Sequence, residues 1–184
     1  MANYYFGGPL EIPLEKAKVL ITEEVKKSIE GSLRVKVEVK DDSVILMPMQ
    51  DANPDSIIKA RQIIQALALG FSREDALELL NDEKYLDVID LSEYISKDKG
   101  NHLSRIKAII IGEGGKVKRN LEELTETKLA VKDKAVGIIG DYDNVRAARD
   151  AVVMLINGKQ HSTVYRWLQR WRRELNLRRI EGNF

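Results

Sequence analysis

Three glycines and three cations within residues 112–119 are the part of this sequence best suited to chemistry. Glycine has no Cβ atom, so a glycine-rich loop lets an anion come close to main-chain N–H groups. The start of a following helix directs further N–H groups towards that anion, and nearby cations add a salt-dependent attraction for phosphate. The pattern indicates a phosphate-binding loop, although its one acidic residue stands where a cation would help more. The loop residues are Gly112, Glu113, Gly114 and Gly115, and the cations are Lys116, Lys118 and Arg119.

Two common phosphate-binding loops do not fit these residues. A Walker-type loop requires four residues between its first glycine and a Gly-Lys pair that Ser or Thr follows, whereas Val117 follows Lys116 here. A dinucleotide-binding loop requires a third glycine at position 117 and a strand before the loop, but the preceding residues have helical spacing. A plainer alternative remains open, in which the glycines only end one helix and begin the next.

The residues around the loop predict the order strand, helix, loop, helix, strand, strand, helix. Leu103, Ile106 and Ile110 recur at helical spacing before the loop, and Val117 and Leu121 do so after it. β-Branched residues that alternate with polar ones predict the strands. The predicted elements span 85–91, 102–111, 117–124, 128–131, 135–140 and 144–157. The last helix is expected to turn Val145, Ala148, Val152 and Leu155 inward and to stop at Gly158.

An internal repeat indicates that this arrangement occurs twice. The aligned ranges are 25–47 with 117–139, without gaps, and 56–70 with 144–158. Glu30 falls on Glu122, and Gly70 falls on Gly158. Two units of similar size are therefore expected, joined by a helix over 71–82 with Ser72 as its N-cap.

The element order is that of a KH module, in which a Gly-x-x-Gly loop joins two helices and holds the backbone of about four nucleotides. The predicted fold class is α+β, with tandem type I KH domains (β-α-α-β-β-α each), three-stranded sheets packed by helices, and a C-terminal helix. The predicted domains are 1–82, KH-like without the loop; 83–158, KH with the loop; and 159–184, a basic helix.

The first unit departs from the pattern at the loop. Thr22, Glu23 and Glu24 stand where the second unit has its glycines, and two residues are missing from the alignment. A carboxylate within a few ångströms of a phosphate costs about 1 kcal/mol even in water. The first unit is therefore expected not to bind RNA in the way that an ordinary KH domain does.

Three residues of the helix before the loop are further candidates for RNA contact. Arg105 and Lys107 flank its apolar stripe, and they either are solvated or touch phosphate. The isoleucines 109–111 are expected in the core, with Ile111 at the floor of an apolar groove between this helix and the edge strand of the hairpin, where bases would lie.

The C-terminal segment carries a segregated positive charge. From Lys159 onwards seven Lys or Arg face two Glu, a net charge of 7 − 2 = +5, so that the rest of the chain carries 1 − 5 = −4. Val164, Leu168, Trp171 and Leu175 have helical spacing and should dock a helix on the body, with Ser162 as its N-cap. His161 is expected to cap or to hydrogen-bond locally.

On another face of this helix lie three arginines, called here the arginine stripe: Arg166, Arg170 and Arg173. A charged stripe is usually a solvated face. Beside Tyr165 and Trp167, however, it also offers phosphate partners and stacking surfaces of the kind that single-stranded RNA uses. We therefore predict RNA contact by Tyr165 and the stripe.

Composition argues against several other functions. The chain has no cysteine and two histidines without metal-ligand spacing, so neither a metal nor another cofactor is expected. It has no paired Ser/His/Asp set, so the protein is not expected to be an enzyme. No apolar run suits a membrane span and no secretory signal is visible, so a cytoplasmic location is expected.

The motifs "NHLSRIKAIIIGEGGK", "ELTET", "IIGDYDNVRAAR" and "HSTVYRWLQRWRREL" resemble the archaeal members of the Partner-of-Nob family of KH-domain small-subunit ribosome assembly factors. The resemblance is specific over 83–178 and looser over 10–82. It implies binding to the 3′ end of small-subunit rRNA, beside the cleavage site of a partner nuclease. It also implies contact with the alpha subunit of the initiation factor that carries initiator tRNA. A scaffold that mainly binds proteins is the alternative.

Overall fold

Two units with the same order of elements make up the chain, and they divide between Lys84 and Tyr85. The computed structural model describes residues 8–95 and 101–182. In both units a strand is followed by two helices, two paired strands and a further helix, and each unit has a three-stranded sheet. The mixed α+β class is therefore confirmed. The predicted domains also include residues 1–7, 96–100 and 183–184, which lie outside the described residues.

The first unit contains a sheet of strand order β1-β3-β2, in which both pairs are antiparallel. Its helix α4 is short, because a 3-10 turn over Glu78–Leu80 follows it directly. The predicted connecting helix over 71–82 is thus only partly helical. The elements are β1 Leu10–Pro13, α1 Ala17–Leu20, α2 Glu23–Leu33, β2 Val35–Val39, β3 Ser43–Pro48, α3 Ser56–Ala68 and α4 Arg73–Leu77.

The second unit contains a sheet of strand order β4-β6-β5. Each element predicted around the glycine loop is present, with bounds that differ by no more than two residues from the prediction. An additional long helix, α8, contacts α6 and α7 of the same unit. The elements are β4 Lys84–Asp90, α5 His102–Ile111, α6 Lys116–Thr125, β5 Lys128–Lys132, β6 Ala135–Asp141, α7 Tyr142–Ile156 and α8 His161–Glu181.

The repeat extends to individual hydrogen bonds. In the first unit, Glu30 Oε1 accepts a hydrogen bond from the N–H of Val37 at 3.0 Å. In the second unit, Glu122 Oε1 accepts one from the N–H of Leu129 at 2.8 Å. Both glutamates lie on the second helix of their unit and both amides lie in the strand that follows it. The same carboxylate therefore fastens helix to edge strand in both units.

Backbone conformations repeat as well. Arg34 and Glu126, which end the equivalent helices α2 and α6, both have left-handed φ values, 57° and 53°. Gly70 and Gly158, which follow α3 and α7, have φ values of 92° and 84°. A left-handed residue after a helix is a common stop signal that favours glycine. The predicted role of Gly158 as a helix stop is confirmed.

The core of the second unit lies between its sheet and its helices. The residues of α7 that were predicted to face inward, among them Ala148, Val152 and Leu155, are buried. The α5 residues Ile106 and Ile110 belong to the same core, as do Val164 and Leu168 of α8. The helix that bears the arginine stripe is thus part of this unit's hydrophobic packing.

Helix starts were predicted with mixed success. The Ser72 hydroxyl accepts a hydrogen bond from the N–H of Asp75 at 3.0 Å, so its predicted role as N-cap of α4 is confirmed. The prediction of Ser162 as N-cap of α8 is wrong, because the helix begins at His161 with Gln160 as N-cap. The side chain of His161 instead bonds to a main-chain carbonyl of α5, which fixes the start of the helix from outside it.

Candidate nucleic-acid interface

The glycine loop, residues 112–115, is the whole connection between α5 and α6. Gly112 is the C-cap of α5, with φ 72° and ψ 172°. Gly114 and Gly115 follow with φ values of 56° and 77°, and α6 begins at Lys116. The first N–H groups of a helix have no partner within the helix. At the start of α6 the N–H of Lys116 donates instead to the carbonyl oxygen of Glu113, within the loop, so the start of the helix lies directly at the loop.

Gly112 is required by the close approach of α6. A Cβ atom at this position would lie 2.4 Å from Cγ2 and 2.9 Å from the main-chain nitrogen of Val117. Val117 is itself buried in the core. Gly114, by contrast, has open space where a Cβ would be. The loop therefore has one glycine that the fold needs and another that leaves its backbone open to solvent.

The three cations after the loop have different surroundings. Lys118 forms an ion pair with Glu122, Nζ to Oε1 2.9 Å. The Arg119 guanidinium donates a hydrogen bond to the carbonyl oxygen of Gly114 at 2.7 Å. Lys116 is exposed and has no side-chain partner within the described residues 8–95 and 101–182. Of the three cations predicted to meet phosphate, Lys116 is thus the one without an intramolecular partner among the described residues.

The α5 candidates differ in how far their side chains are buried. Arg105 is exposed and Lys107 is half-buried. Of the three isoleucines before the loop, Ile110 is in the core and Ile109 packs against it. Ile111, adjacent to the loop, is only partly buried. Its predicted place at the floor of a groove remains a prediction that the side-chain exposure permits.

Helix α8 is fastened to the α5–loop–α6 segment at two points. At its start, His161 Nε2 lies 3.1 Å from the carbonyl oxygen of Ile109, close to the loop. Farther along, Arg172 bonds to the Glu126 carboxylate at 2.8 Å and to the Glu123 carbonyl at 3.3 Å, at the end of α6. The expected local hydrogen bond of His161 is thus replaced by a long-range one. These contacts hold α8 in one position relative to the loop.

The arginine stripe is exposed along α8, opposite its buried anchors. Tyr165 and Trp167 are partly buried and pack against the core. The ring of Tyr165 lies 6.3 Å from that of His161, centroid to centroid. The aromatic rings that were predicted as stacking surfaces thus contribute to docking α8, and only a part of each faces solvent.

The first unit presents different chemistry at the equivalent position. Its helix α1 ends at Leu20, and Thr22 is the N-cap of α2. Glu23 and Glu24 occupy the first turn of α2 and are exposed. Where the second unit has a bare backbone and a lysine, the first therefore has two carboxylates, as the sequence predicted.

Sequence reasoning missed the contacts of Glu122, His161 and Arg172. The Glu122 contacts had two signals: its i, i+4 spacing from Lys118 and its alignment with Glu30. Over residues 8–95 and 101–182, no three His, Asp or Glu side chains are grouped so as to hold a metal ion. No helix in that part of the chain is long and apolar enough to cross a membrane.

Comparison with known proteins identifies the second unit. Residues 85–173 match the family model for the second KH domain of PNO1, described as a eukaryotic type KH-domain (KH-domain type I). The KH domain-containing protein MJ0443 of Methanocaldococcus jannaschii is 38% identical over 94% of this chain and 77% of its own length. The pre-rRNA-processing protein pno1 of Schizosaccharomyces pombe is 36% identical, over 72% of this chain and 56% of its own length.

The fold of one solved structure matches that of almost the whole chain. It is the a/eIF2alpha–aDim2p–rRNA complex from Pyrococcus horikoshii, one chain of which is 30% identical with a TM-score of 0.81. The match covers 93% of this chain and 97% of that chain. The resemblance seen in the sequence motifs is thereby confirmed: the chain belongs to the Partner-of-Nob family of KH-domain proteins, whose relatives bear the names Pno1 and Dim2p.

Proposed function

We propose that the protein is a cytoplasmic, non-enzymatic RNA-binding factor of small ribosomal subunit biogenesis. In this proposal the second unit binds the 3′ end of small-subunit rRNA as single-stranded RNA, close to the cut made by a processing nuclease. The first unit is a KH fold without a working loop, so the chain has tandem KH domains of unequal function. Relatives named as pre-rRNA-processing and RNA-binding proteins support the general role.

The observation that carries the proposal is the contrast between the two equivalent loops. In the second unit, open backbone at Gly114 lies beside the start of α6 and the unengaged Lys116. In the first unit, Glu23 and Glu24 occupy the corresponding helix start. A phosphate is attracted by N–H donors and a cation and repelled by carboxylates. RNA should therefore bind to the second unit and avoid this face of the first.

The remaining predicted contacts extend the surface on both sides of the loop. Arg105, Lys107 and Ile111 continue it along α5, where the bases of the bound strand would lie. Tyr165 and the arginine stripe continue it along α8, which is held against α5 and α6. Several phosphate contacts would make the affinity fall steeply with salt.

The experiment replaces both Gly114 and Gly115 with Asp and measures binding of an oligoribonucleotide with the small-subunit rRNA 3′-end sequence by fluorescence anisotropy. Asp tolerates left-handed φ better than most residues. Two carboxylates at about 1 kcal/mol each against phosphate should weaken binding at least about 30-fold. Gly31→Asp, at an exposed helical glycine of the first unit with open space around it, should leave affinity unchanged. Unaltered affinity of the double variant would disprove the site.

A second role, binding the alpha subunit of an initiation factor, is favoured by the a/eIF2alpha–aDim2p–rRNA complex that the chain resembles. We place this contact on the first unit, because it has no loop for RNA. Titration of a labelled alpha subunit should then give the same affinity for the chain with and without the Gly114→Asp and Gly115→Asp changes. Loss of alpha-subunit binding in that variant would contradict the assignment.

A further inference from the structure

We propose that Arg119 is a positioning residue: its guanidinium holds the Gly114–Gly115 segment in its left-handed conformation, while Lys116 supplies the cation that meets phosphate. The part of this inference that concerns RNA rests on the proposed function. The part that concerns the loop itself does not, because it describes the free protein.

The geometry places Arg119 over the loop. Its Nη1 donates to the carbonyl oxygen of Gly114 at 2.7 Å. The same Nη1 would lie 3.2 Å from a Cβ at Gly115, so the guanidinium also covers that residue. Helical side chains lean towards the N-terminus of their helix. Arg119, in the first turns of α6, therefore reaches back to the loop without leaving its own helix.

The loop needs such a restraint. Gly114 and Gly115 are consecutive residues with φ values of 56° and 77°, and glycine loses more conformational freedom than any other residue when it is ordered. The N–H of Gly115 donates to the carbonyl of Gly112 at 3.1 Å, which closes the turn on one side. Arg119 holds the Gly114 carbonyl on the other side. The peptide between the two glycines is thus fixed at both of its polar groups.

The contacts of Lys118 and Lys116 differ from those of Arg119, and this difference distinguishes the roles of the three cations. Lys118 is paired with Glu122, whose carboxylate also binds the strand β5 through Leu129. Lys116 is exposed and unengaged among the described residues. Covering the Gly114 carbonyl with a guanidinium also hides an oxygen that would otherwise face a phosphate. Arg119 thus improves the loop as an anion site without being the mobile partner of the anion.

The first measurement uses the free, full-length protein and needs no RNA. Exchange of the Gly115 amide proton with water is measured by NMR in the wild type, Arg119→Ala and Lys116→Ala. Loss of a hydrogen bond to a charged donor should speed this exchange roughly tenfold or more in Arg119→Ala. Lys116→Ala is the matched control and should leave the rate unchanged. An unchanged rate in Arg119→Ala would overturn the inference.

The second measurement titrates the rRNA 3′-end oligoribonucleotide at several salt concentrations. Lys116→Ala should reduce the magnitude of the slope of log affinity against log salt by about one, the change expected for one lost phosphate contact. Arg119→Ala should weaken binding but keep nearly the wild-type slope. Arg119→Lys keeps the charge and one donor, and should recover part of both readouts. A slope lowered equally by both alanine variants would make Arg119 a phosphate ligand and refute its positioning role. Failure of the wild type to bind RNA would instead refute the proposed function, and the exchange result would stand by itself.

Discussion

Replacing Gly112 with alanine should destabilise the loop in two ways, because the added methyl group causes both backbone strain and a steric clash. The φ of 72° and ψ of 172° lie in a region that is almost restricted to glycine, at a cost of about 1–3 kcal/mol. The new Cβ would also lie 2.4 Å from Val117 Cγ2, and overpacking of this kind costs roughly 1–3 kcal/mol. Together the two terms predict a loss of about 2–6 kcal/mol in the free energy of unfolding of the second unit.

Gly114→Ala is the matched comparison within the same loop. A Cβ at Gly114 would meet no atom within 4 Å, and its φ is 56°. Only the left-handed conformation is then penalised, by about 1–2 kcal/mol. Adding Val117→Ala to Gly112→Ala removes the Cγ2 contact, so the double variant should lose less stability than the sum of the two single changes.

Tryptophan fluorescence during urea unfolding provides the assay. The sequence has two tryptophans, Trp167 and Trp171, and both pack against the core of the second unit. Their signal therefore reports this unit. If Gly112→Ala and Gly114→Ala prove equally stable, or if Val117→Ala brings no relief, then α6 does not close on the loop as described and the reasoning about the glycines is wrong.

Three further predictions concern the hydrogen bonds of Glu122 and His161 and the arginine stripe. Glu122→Ala should lower the free energy of unfolding by about 1–3 kcal/mol, because the Leu129 amide loses its acceptor; Glu122→Gln should lose less in the same urea assay. His161→Ala should cost about 0.5–1.5 kcal/mol in thermal unfolding through its lost bond to the Ile109 carbonyl. Replacing all three residues of the arginine stripe with Gln should leave stability unchanged, since they are exposed, while lowering the salt slope of RNA binding by up to about three contacts.

The fold could be predicted in large part because the sequence contains it twice. Glu30 and Glu122, which the repeat aligns, make the same hydrogen bond in their two units, and periodicity placed the elements of the second unit within two residues of their observed bounds. Local signals were sufficient here, because helix spacing, strand alternation and glycine stops are encoded over short stretches of chain.

The site could be predicted only in outline. The loop glycines follow from the local sequence, and the Lys118–Glu122 pair has a recognisable helical spacing. The bonds of His161 to Ile109 and of Arg172 to Glu126 join residues far apart in sequence. No local pattern specifies such partners, because they depend on how α8 packs against the rest of its unit.

Mapping RNA contacts on the isotope-labelled full-length protein by NMR would distinguish the glycine loop of the second unit from its counterpart in the first as the RNA site. With the rRNA 3′-end oligoribonucleotide, we expect the largest shifts on residues 112–116 and along the exposed face of α8, with none at Thr22, Glu23 or Glu24. Shifts centred on those three residues, or a glycine loop left unperturbed while RNA is bound, would contradict RNA binding by the second unit.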